Sequence, residues 1–266
     1  MNFSYTQISQ FLYCPRRYRY RYLDGWREKD TRAAMLFGRT FEQALAAHFL
    51  DEDGTEVFFN EWSGYRNSTI EYSRGDNWQS MLKAGMELLK QFIQEGRVRV
   101  PHPRRNLQVK ILRPLPGGDS FISYVDAIGQ CDDTPCLLDW KTSSSCYPLT
   151  PAGLYQLDPQ LLCYSWMTGM ESVALIVFVR KRLPEIQYLR ATINERQRQE
   201  YGQLVEETVR RIHPARFSQH SGIRFPQNGC LSCPYLGLCL NKPEMVQPRL
   251  TRELGADLDW LDGIDF

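Results

Sequence analysis

Apolar positions over the first fifty residues recur with helical spacing. Ile8, Phe11, Tyr18 and Tyr22 share one face of a helix over residues 4–23, which Pro15 kinks or restarts. The same periodicity predicts a helix from Arg32 to Leu50, and further helices over Val57–Ile70 and Asn77–Gly96. From Asn106 the period drops to two: Leu107, Val109 and Ile111 alternate as a strand does. Pro114 to Gly118 has turn composition, and Phe121–Gly129 and Pro135–Lys141 form two more strands. Asp158 to Met170 reads as a helix with Asp158 as N-cap and Pro159 at its first position. The apolar run Ser172–Arg180 suits a buried strand, Ile186–Ala191 is its neighbour, and Asn194–Ile212 forms a long helix. A sheet with helices before and after it is an α/β or α+β core.

Charge nearly cancels. The 266 residues carry 32 Lys+Arg and 31 Asp+Glu, a formal net charge of +1. A basic total therefore gives no argument for nucleic-acid binding, but local patches decide binding more often than totals do. Residues 4–23 hold Arg16, Arg17, Arg19 and Arg21 without an acid, and residues 97–118 hold Arg97, Arg99, Arg104, Arg105, Lys110 and Arg113 without one. Arg180, Lys181 and Arg182 follow the buried strand. Such clusters line a phosphate-neutralising groove or form a solvated face. The longest strongly apolar run, Val173–Val179, is far short of the roughly 20 residues of a membrane helix. No signal peptide is expected from the first residues, so the cysteines point to a reducing, cytoplasmic setting.

The segment Phe121–Thr142 is the most informative. Asp139 and Lys141, two apart in a strand, project to the same side, and the adjacent strand brings Asp126 within reach. Two carboxylates and a lysine suit metal-assisted phosphodiester hydrolysis, with oxygen ligands holding Mg²⁺ and a cation beside the attacked phosphate. The same triplet also occurs as a plain surface ion pair. Its place after the apolar Cys136-Leu137-Leu138 puts the charges at the end of a buried strand, where α/β proteins bind ligands.

Eight cysteines are present, three of them clustered as Cys230, Cys233 and Cys239. Three thiolates leave a tetrahedral site incomplete, and Cys14 is the natural fourth ligand. Zinc, completed by His220 or His213, is the alternative. Cys131, Cys136, Cys146 and Cys163 lack paired spacing and read as core or near-surface residues.

Several motifs, in order, resemble the RecB-like branch of the PD-(D/E)xK nucleases. They are Gly38-Arg39-Thr40-Phe41-Glu42-Gln43-Ala44-Leu45, Tyr124-Val125-Asp126-Ala127-Ile128, Leu137-Leu138-Asp139-Trp140-Lys141-Thr142 and Gln160-Leu161-Leu162-Cys163-Tyr164. The resemblance implies a restriction-endonuclease-like α/β core, a mixed central sheet flanked by helices. It places this nuclease domain over residues 1–248, with a helical insertion over 51–97 and a cysteine-bound segment over 226–242. It implies that Asp126, Asp139 and the Trp140 carbonyl bind Mg²⁺ or Mn²⁺, that Lys141 orients water or stabilises phosphorane-like charge, and that Gln160 and Tyr164 steady the site. Glu42 stands where this branch commonly has histidine and is a further metal ligand. His48, six residues on, lies about 600° around the helix at ~100° per residue, on another face, and reads as a packed or surface residue.

The resemblance extends to relatives with an iron–sulfur staple, which have one cysteine before the core and three after it. It implies a [4Fe–4S] cluster on Cys14, Cys230, Cys233 and Cys239. The activity implied is a metal-dependent DNA exonuclease acting on single strands or duplex ends, as in CRISPR-associated RecB-like exonucleases and phage or recombination relatives. The alternatives are a non-catalytic iron–sulfur DNA-binding module and a structure-specific endonuclease of the same fold. Residues 249–266 form an acidic tail, with five acids and no base from Glu253 to Phe266. It reads as a disordered tail, or as a dock for another DNA-processing protein, since it resembles the Phe-terminated tip of bacterial single-strand DNA-binding proteins.

Overall fold

A computed structural model describes residues 1–29, 32–73, 75–218 and 229–252. In chain order, β1 (Asn2–Ser4) leads into α1 (Tyr5–Tyr13), α2 (Pro15–Tyr18), β2 (Trp26–Glu28), α3 (Ala33–Phe49), α4 (Gly54–Ser63) and α5 (Trp78–Glu95). Then come β3 (Val98–Arg99), α6 (Pro103–Asn106), β4 (Leu107–Pro114), β5 (Ser120–Cys131), β6 (Thr134–Ser143), α7 (Pro159–Thr168), β7 (Ser172–Val179), β8 (Glu185–Thr192) and α8 (Glu195–Ile212). The chain closes with α9 (Leu236–Cys239), α10 (Pro243–Val246) and β9 (Leu250–Arg252).

Local chemistry sets most boundaries. Pro15 ends α1 and starts α2, leaving Cys14 extended at φ −161° between them. A capping box between Asn77 and Ser80 opens α5, and Gly96 closes it at φ 56°. Asp158 caps α7 by accepting from the Gln160 and Leu161 amides at 2.9 and 3.0 Å. The helix expected over Val57–Ile70 instead spans Gly54–Ser63. Asp53 caps it early, and the Trp62 carbonyl accepts the Trp78 indole N–H at 3.0 Å while the Trp62 indole donates to the Trp78 carbonyl at 3.1 Å. That reciprocal pair turns the chain from α4 into α5.

The chain forms two compact units. The described parts of residues 1–30, 114–122 and 203–266 make one, and those of residues 31–113 and 123–202 make the other. In the first, β1 runs parallel to residues 120–122 of β5, and β2 pairs antiparallel with β9. Phe11, Tyr18 and Phe217 form its aromatic centre, with ring centroids 5.6 to 6.4 Å apart.

In the second unit the sheet order is β5-β6-β7-β8, with β3 and β4 also on β5. β5 and β6 are antiparallel, β6 and β7 parallel, and β7 and β8 antiparallel, so the sheet is mixed. On one face α3, α4 and α5 bury Phe37, Phe41, Phe58, Trp62 and Phe92 against Leu138, Ile176 and Phe178. On the other, Leu161 and Tyr164 of α7 pack on Val125, Leu137 and Leu175. This is the expected α/β core. The helices of residues 51–97 are part of its packing: Phe58, Trp62, Leu88 and Phe92 share one buried cluster with Leu138, Ile176 and Phe178. Among the described residues no helix is long and apolar enough to cross a membrane. The acidic segment Glu253–Phe266 and His220 lie outside the described residues.

Candidate active site

The site grows from a break between two strands. The β5–β6 ladder ends at Ala127↔Leu138. Val125 and Ala127, two apart, contribute to opposite cores, so side-chain alternation fails at Asp126. Where the next backbone pair would form, the Asp126 carboxylate enters instead and its Oδ2 accepts the Trp140 N–H at 2.9 Å. Asp126 Oδ1 accepts from the Tyr164 hydroxyl at 3.3 Å, and that hydroxyl accepts from Gln160 Nε2 at 2.8 Å. Gln160 and Tyr164 are four apart on α7, hence on one helix face. Both oxygens of Asp126 are therefore held, one by a strand and one by a helix.

Asp139 follows on β6. It is 1 % exposed, and Lys141 Nζ lies 2.7 Å from its Oδ2. Its Oδ1 has no hydrogen-bond partner among the described residues. A buried carboxylate oxygen without a donor is costly unless something else takes it up. Burial pushes Asp139 up to about 7; Lys141 opposes this and Asp126 adds to it. Burial likewise lifts Asp126 to about 6, with Lys141 pulling it down and Glu42 pushing it up. Burial favours a neutral Lys141, but Asp139 and Asp126 outweigh it and hold the ammonium above its ordinary range. Tyr164 is raised well above its ordinary value, first by burial and then by Asp126 and Asp139.

Helix α3 brings the third acid. A Cβ at Gly38 would sit 3.3 Å from Thr142 Oγ1, so the helix approaches β6 closely there. Glu42, one turn further on, is raised by burial; Lys141 opposes, and Asp139 adds to the rise. Its carboxylate accepts a hydrogen bond from the Gln108 side chain. The structure thus brings together Glu42, Asp126, Asp139, Lys141, Gln160 and Tyr164. Trp140 contributes its N–H to Asp126, and its indole stacks 5.9 Å from Phe49. His48 packs against Phe49 and Phe92 and takes no part in the site, as its position on the helix implied.

Gln108 was not legible in the sequence. It holds Glu42 from a residue with φ 47°, a conformation that glutamine rarely adopts and that no local signal announces. Asp158 was legible only as a cap, yet it also adds to the field on Asp139 and Lys141.

Oxygen donors of this kind suit a hard divalent cation. The described residues hold no ready group of three His, Cys, Asp or Glu ligands. The orphaned Asp139 Oδ1, beside a second buried carboxylate, nevertheless fits such an ion, because a cation would satisfy the oxygen and relieve the mutual repulsion.

The second candidate site lies in the other unit. Burial raises the Cys233 thiol, and Cys239 and Cys14 are both near enough to raise it further, while Arg17 and a backbone N–H at Tyr235 lower it. Gly229, just before Cys230, sits against the Tyr13 ring, where a Cβ would lie 1.7 Å from the hydroxyl; Tyr13 immediately precedes Cys14. The four cysteines are half-buried. His213 does not join them: its Nε2 lies 2.6 Å from Asp119 Oδ2 and its ring meets Phe3, so the zinc set completed by His213 does not form. Cys131, Cys136 and Cys163 are buried and Cys146 is exposed, as expected of core and near-surface residues.

The basic clusters are largely consumed by internal pairing. Arg97 pairs with Asp132 at 2.8 Å and covers the Tyr188 ring, Arg99 meets Asp133 at 3.3 Å, and Arg113 covers Trp166. Arg104, Arg105 and Arg182 remain exposed.

A family model described as the PD-(D/E)XK nuclease superfamily matches residues 2–240. The chain belongs to the PD-(D/E)XK nuclease superfamily. Its members are metal-dependent nucleases that use divalent ions such as Mg²⁺ or Mn²⁺. No curated protein matches the chain. Among solved structures, SSO0001 is 17% identical over 91% of this chain and 86% of its own, with a TM-score of 0.40. A candidate exonuclease from Eubacterium rectale is 14% identical over 80% of each chain, with a TM-score of 0.49. LHK-Exo, solved with dAMP, is 14% identical over 68% of this chain and 93% of its own, with a TM-score of 0.33.

Proposed function

We propose that this PD-(D/E)XK nuclease is a Mg²⁺- or Mn²⁺-dependent DNA exonuclease of the RecB-like branch, acting on single strands or duplex ends in DNA processing, recombination or CRISPR-type adaptation. The observation that carries the reading is the buried Asp126–Asp139 pair with Lys141 on Asp139 and the Gln160–Tyr164 relay on Asp126. The Gln-x-x-x-Tyr spacing belongs to that branch, and here its two side chains are in series onto the carboxylate.

Asp126 and Asp139, with the Trp140 carbonyl and Glu42, would hold the divalent ion, which when bound polarises phosphate and makes bound water more acidic. Asp126 is fixed by Trp140 N–H and the Tyr164 hydroxyl, so it need not reorganise on ligand entry. Gln108 restrains Glu42 by donating a hydrogen bond to its carboxylate. The Lys141 side chain is 32 % exposed, and its Nζ is anchored to Asp139. There it places positive charge beside the phosphate as negative charge builds up in the transition state.

Cys14, Cys230, Cys233 and Cys239 would hold a [4Fe–4S] cluster. What supports this is that Cys14 and Cys239 are both near enough to act on the Cys233 thiol, together with the seat of Gly229 beside Tyr13. The soft thiolate set suits iron–sulfur or zinc, and the arrangement of one early and three late cysteines favours the former. The acidic tail would dock another DNA-processing protein.

One assay tests the activity: linear and circular, single- and double-stranded DNA are incubated with Mn²⁺, alongside Lys141→Ala. Degradation of linear but not circular DNA, lost in the variant, is expected. Cleavage of circles would replace the exonuclease with an endonuclease, undiminished cleavage by the variant would remove this active site, and no cleavage of any substrate would leave a DNA-binding module.

A further inference from the structure

A second polar cleft lies in the same unit as the candidate active site, past the C-terminal ends of β6 and β7. Its volume is about 440 Å³, and none of Glu42, Asp126, Asp139 or Lys141 lines it. Its cations are Arg180, Lys181, Arg182 and Lys83, and Ser80 and Ser144 add hydroxyls. Two acids, Asp76 and Glu87, are also present. Asp76 pairs with Arg180, Glu87 with Lys83, and Glu185 with Lys181, so the lining's positive surplus rests on Arg182 and on the donors Arg180 leaves unused, with hydroxyls alongside, a chemistry that binds phosphate oxygens.

Arg180 is the informative residue. Its side chain is 5 % exposed and lies over the Phe37 ring at 4.7 Å. Among the described residues its one ion pair, Nη1 to Asp76 Oδ2, is 3.3 Å long, and its Nε has no hydrogen-bond partner. A buried guanidinium ordinarily uses its five donors fully, so this one is left underused. Its backbone is pinned as well: the Arg180 N–H donates to the Ser143 carbonyl at 2.7 Å.

That bond also fixes the distance to the candidate active site. Ser143 is two residues beyond Lys141 on β6. At about 3.3 Å per strand residue, the entrance to the cleft lies on the order of 7–10 Å from the lysine. Neighbouring phosphates on an extended single strand are separated by a similar length.

We propose that this cleft is a phosphate subsite, anchored by Arg180 and Arg182, that holds a DNA phosphate adjacent to the one attacked. The inference rests on the reading of the protein as a DNA nuclease. Two sources share the chemistry, an internal backbone phosphate and a terminal 5′-phosphate. The subsite positions the strand and does not act on the reacting atoms.

The test is DNA binding in EDTA, so that no cleavage occurs, read by fluorescence anisotropy on 5′-phosphorylated, 5′-hydroxyl and circular single strands. Arg182→Gln removes an exposed cation, and Arg180→Gln removes the buried one. Arg180→Gln also breaks an internal pair, so Ser80→Glu is the decisive variant. Ser80 is the third residue of α5 in a capping box with Asn77, a position where glutamate is a preferred residue, so the helix keeps its cap while a negative charge enters the cleft. Ser80→Glu, folded with wild-type melting behaviour, should weaken binding about tenfold, and Arg182→Gln should reduce the salt slope by about one. Equal losses on all three substrates identify a backbone phosphate, and a loss confined to phosphorylated ends identifies a terminal one. Wild-type affinity in Ser80→Glu on every substrate would overturn the subsite alone. Wild-type protein that binds no DNA would remove the subsite and the nuclease reading together.

Discussion

Replacing Asp139 by asparagine should stabilise the metal-free protein while destroying its activity. The carboxylate is 1 % exposed, sits next to Asp126, and has one oxygen without a hydrogen-bond partner among the described residues. Its pKa rises from the ordinary 3.8 to about 7, mainly through burial. A group raised in the folded state binds more protons folded than unfolded across that window, so its contribution to stability falls as pH rises from about 4 to about 7. Below the window both states are protonated and nothing is lost; above it the full cost of ionising the buried group remains. At about 1.4 kcal/mol per pH unit the ceiling is roughly 4 kcal/mol, and sharing with Asp126 and Lys141 brings the expectation to roughly 2–4 kcal/mol. Asparagine removes the charge yet keeps an oxygen for Lys141. At about 2–4 °C per kcal/mol, Asp139→Asn should melt roughly 5–10 °C above wild type at pH 8 in EDTA. The gap should narrow as pH falls through that window and approach zero below about pH 4. Mn²⁺ should raise the wild-type melting temperature and leave the variant nearly unmoved, because ion binding acts only on the form with the carboxylate. Thermal melts at four pH values, with and without Mn²⁺, read all three effects. A variant that melts at or below wild type at pH 8, with the same response to Mn²⁺, would refute the reasoning.

Other expectations follow from single contacts. Lys141→Ala should lower kcat at least a hundredfold with a small change in KM, measured on linear DNA, because the ammonium acts where charge develops. Tyr164→Phe removes the hydroxyl that links Gln160 to Asp126 and should cost about three- to tenfold in kcat, with the fold unchanged by circular dichroism. Gly85→Ala drives a methyl against the fully buried Phe58 ring and should cost about 1–3 kcal/mol in urea unfolding, which tests whether α4 and α5 belong to the nuclease core. Anaerobically purified protein should be brown, absorb near ~400 nm and contain about four irons per chain, and Cys239→Ser should lose the colour; stoichiometric zinc without iron would rule the cluster out.

Much of the frame was written locally. The change from a 3.6-residue to a 2-residue hydrophobic period separates α3 and α5 from β4, β5 and β6, because it is the repeat at which side chains return to one face of a helix or of a strand. Asp158, Pro159, Asn77 and Pro15 mark helix ends through backbone groups that only their own neighbours can satisfy, so these boundaries were legible. Asp139 and Lys141 were legible as a pair for the same reason: a strand fixes which side chains share a side. The end of α4 was not, since it depends on an exchange of indole hydrogen bonds between Trp62 and Trp78, sixteen residues apart. The short β2–β9 pair was also invisible, since three-residue strands carry too little pattern and their partners are remote.

What the tertiary structure decided is the set of distances between segments far apart in the chain. Only the pairing of β5 with β6 brings Asp126 beside Asp139, and only the end of the ladder at Ala127↔Leu138 leaves the Asp126 carboxylate to take the Trp140 N–H. Only helix packing carries Glu42 towards Lys141 and lays Gln108 against it. The same packing spends Arg97 and Arg113 on internal partners that charge counting along the chain had left available for DNA. A sequence names the chemical groups and the side of each element on which they stand. Burial and register decide which of them meet, because the cost of an unpaired buried charge depends on neighbours that the chain supplies from anywhere along its length.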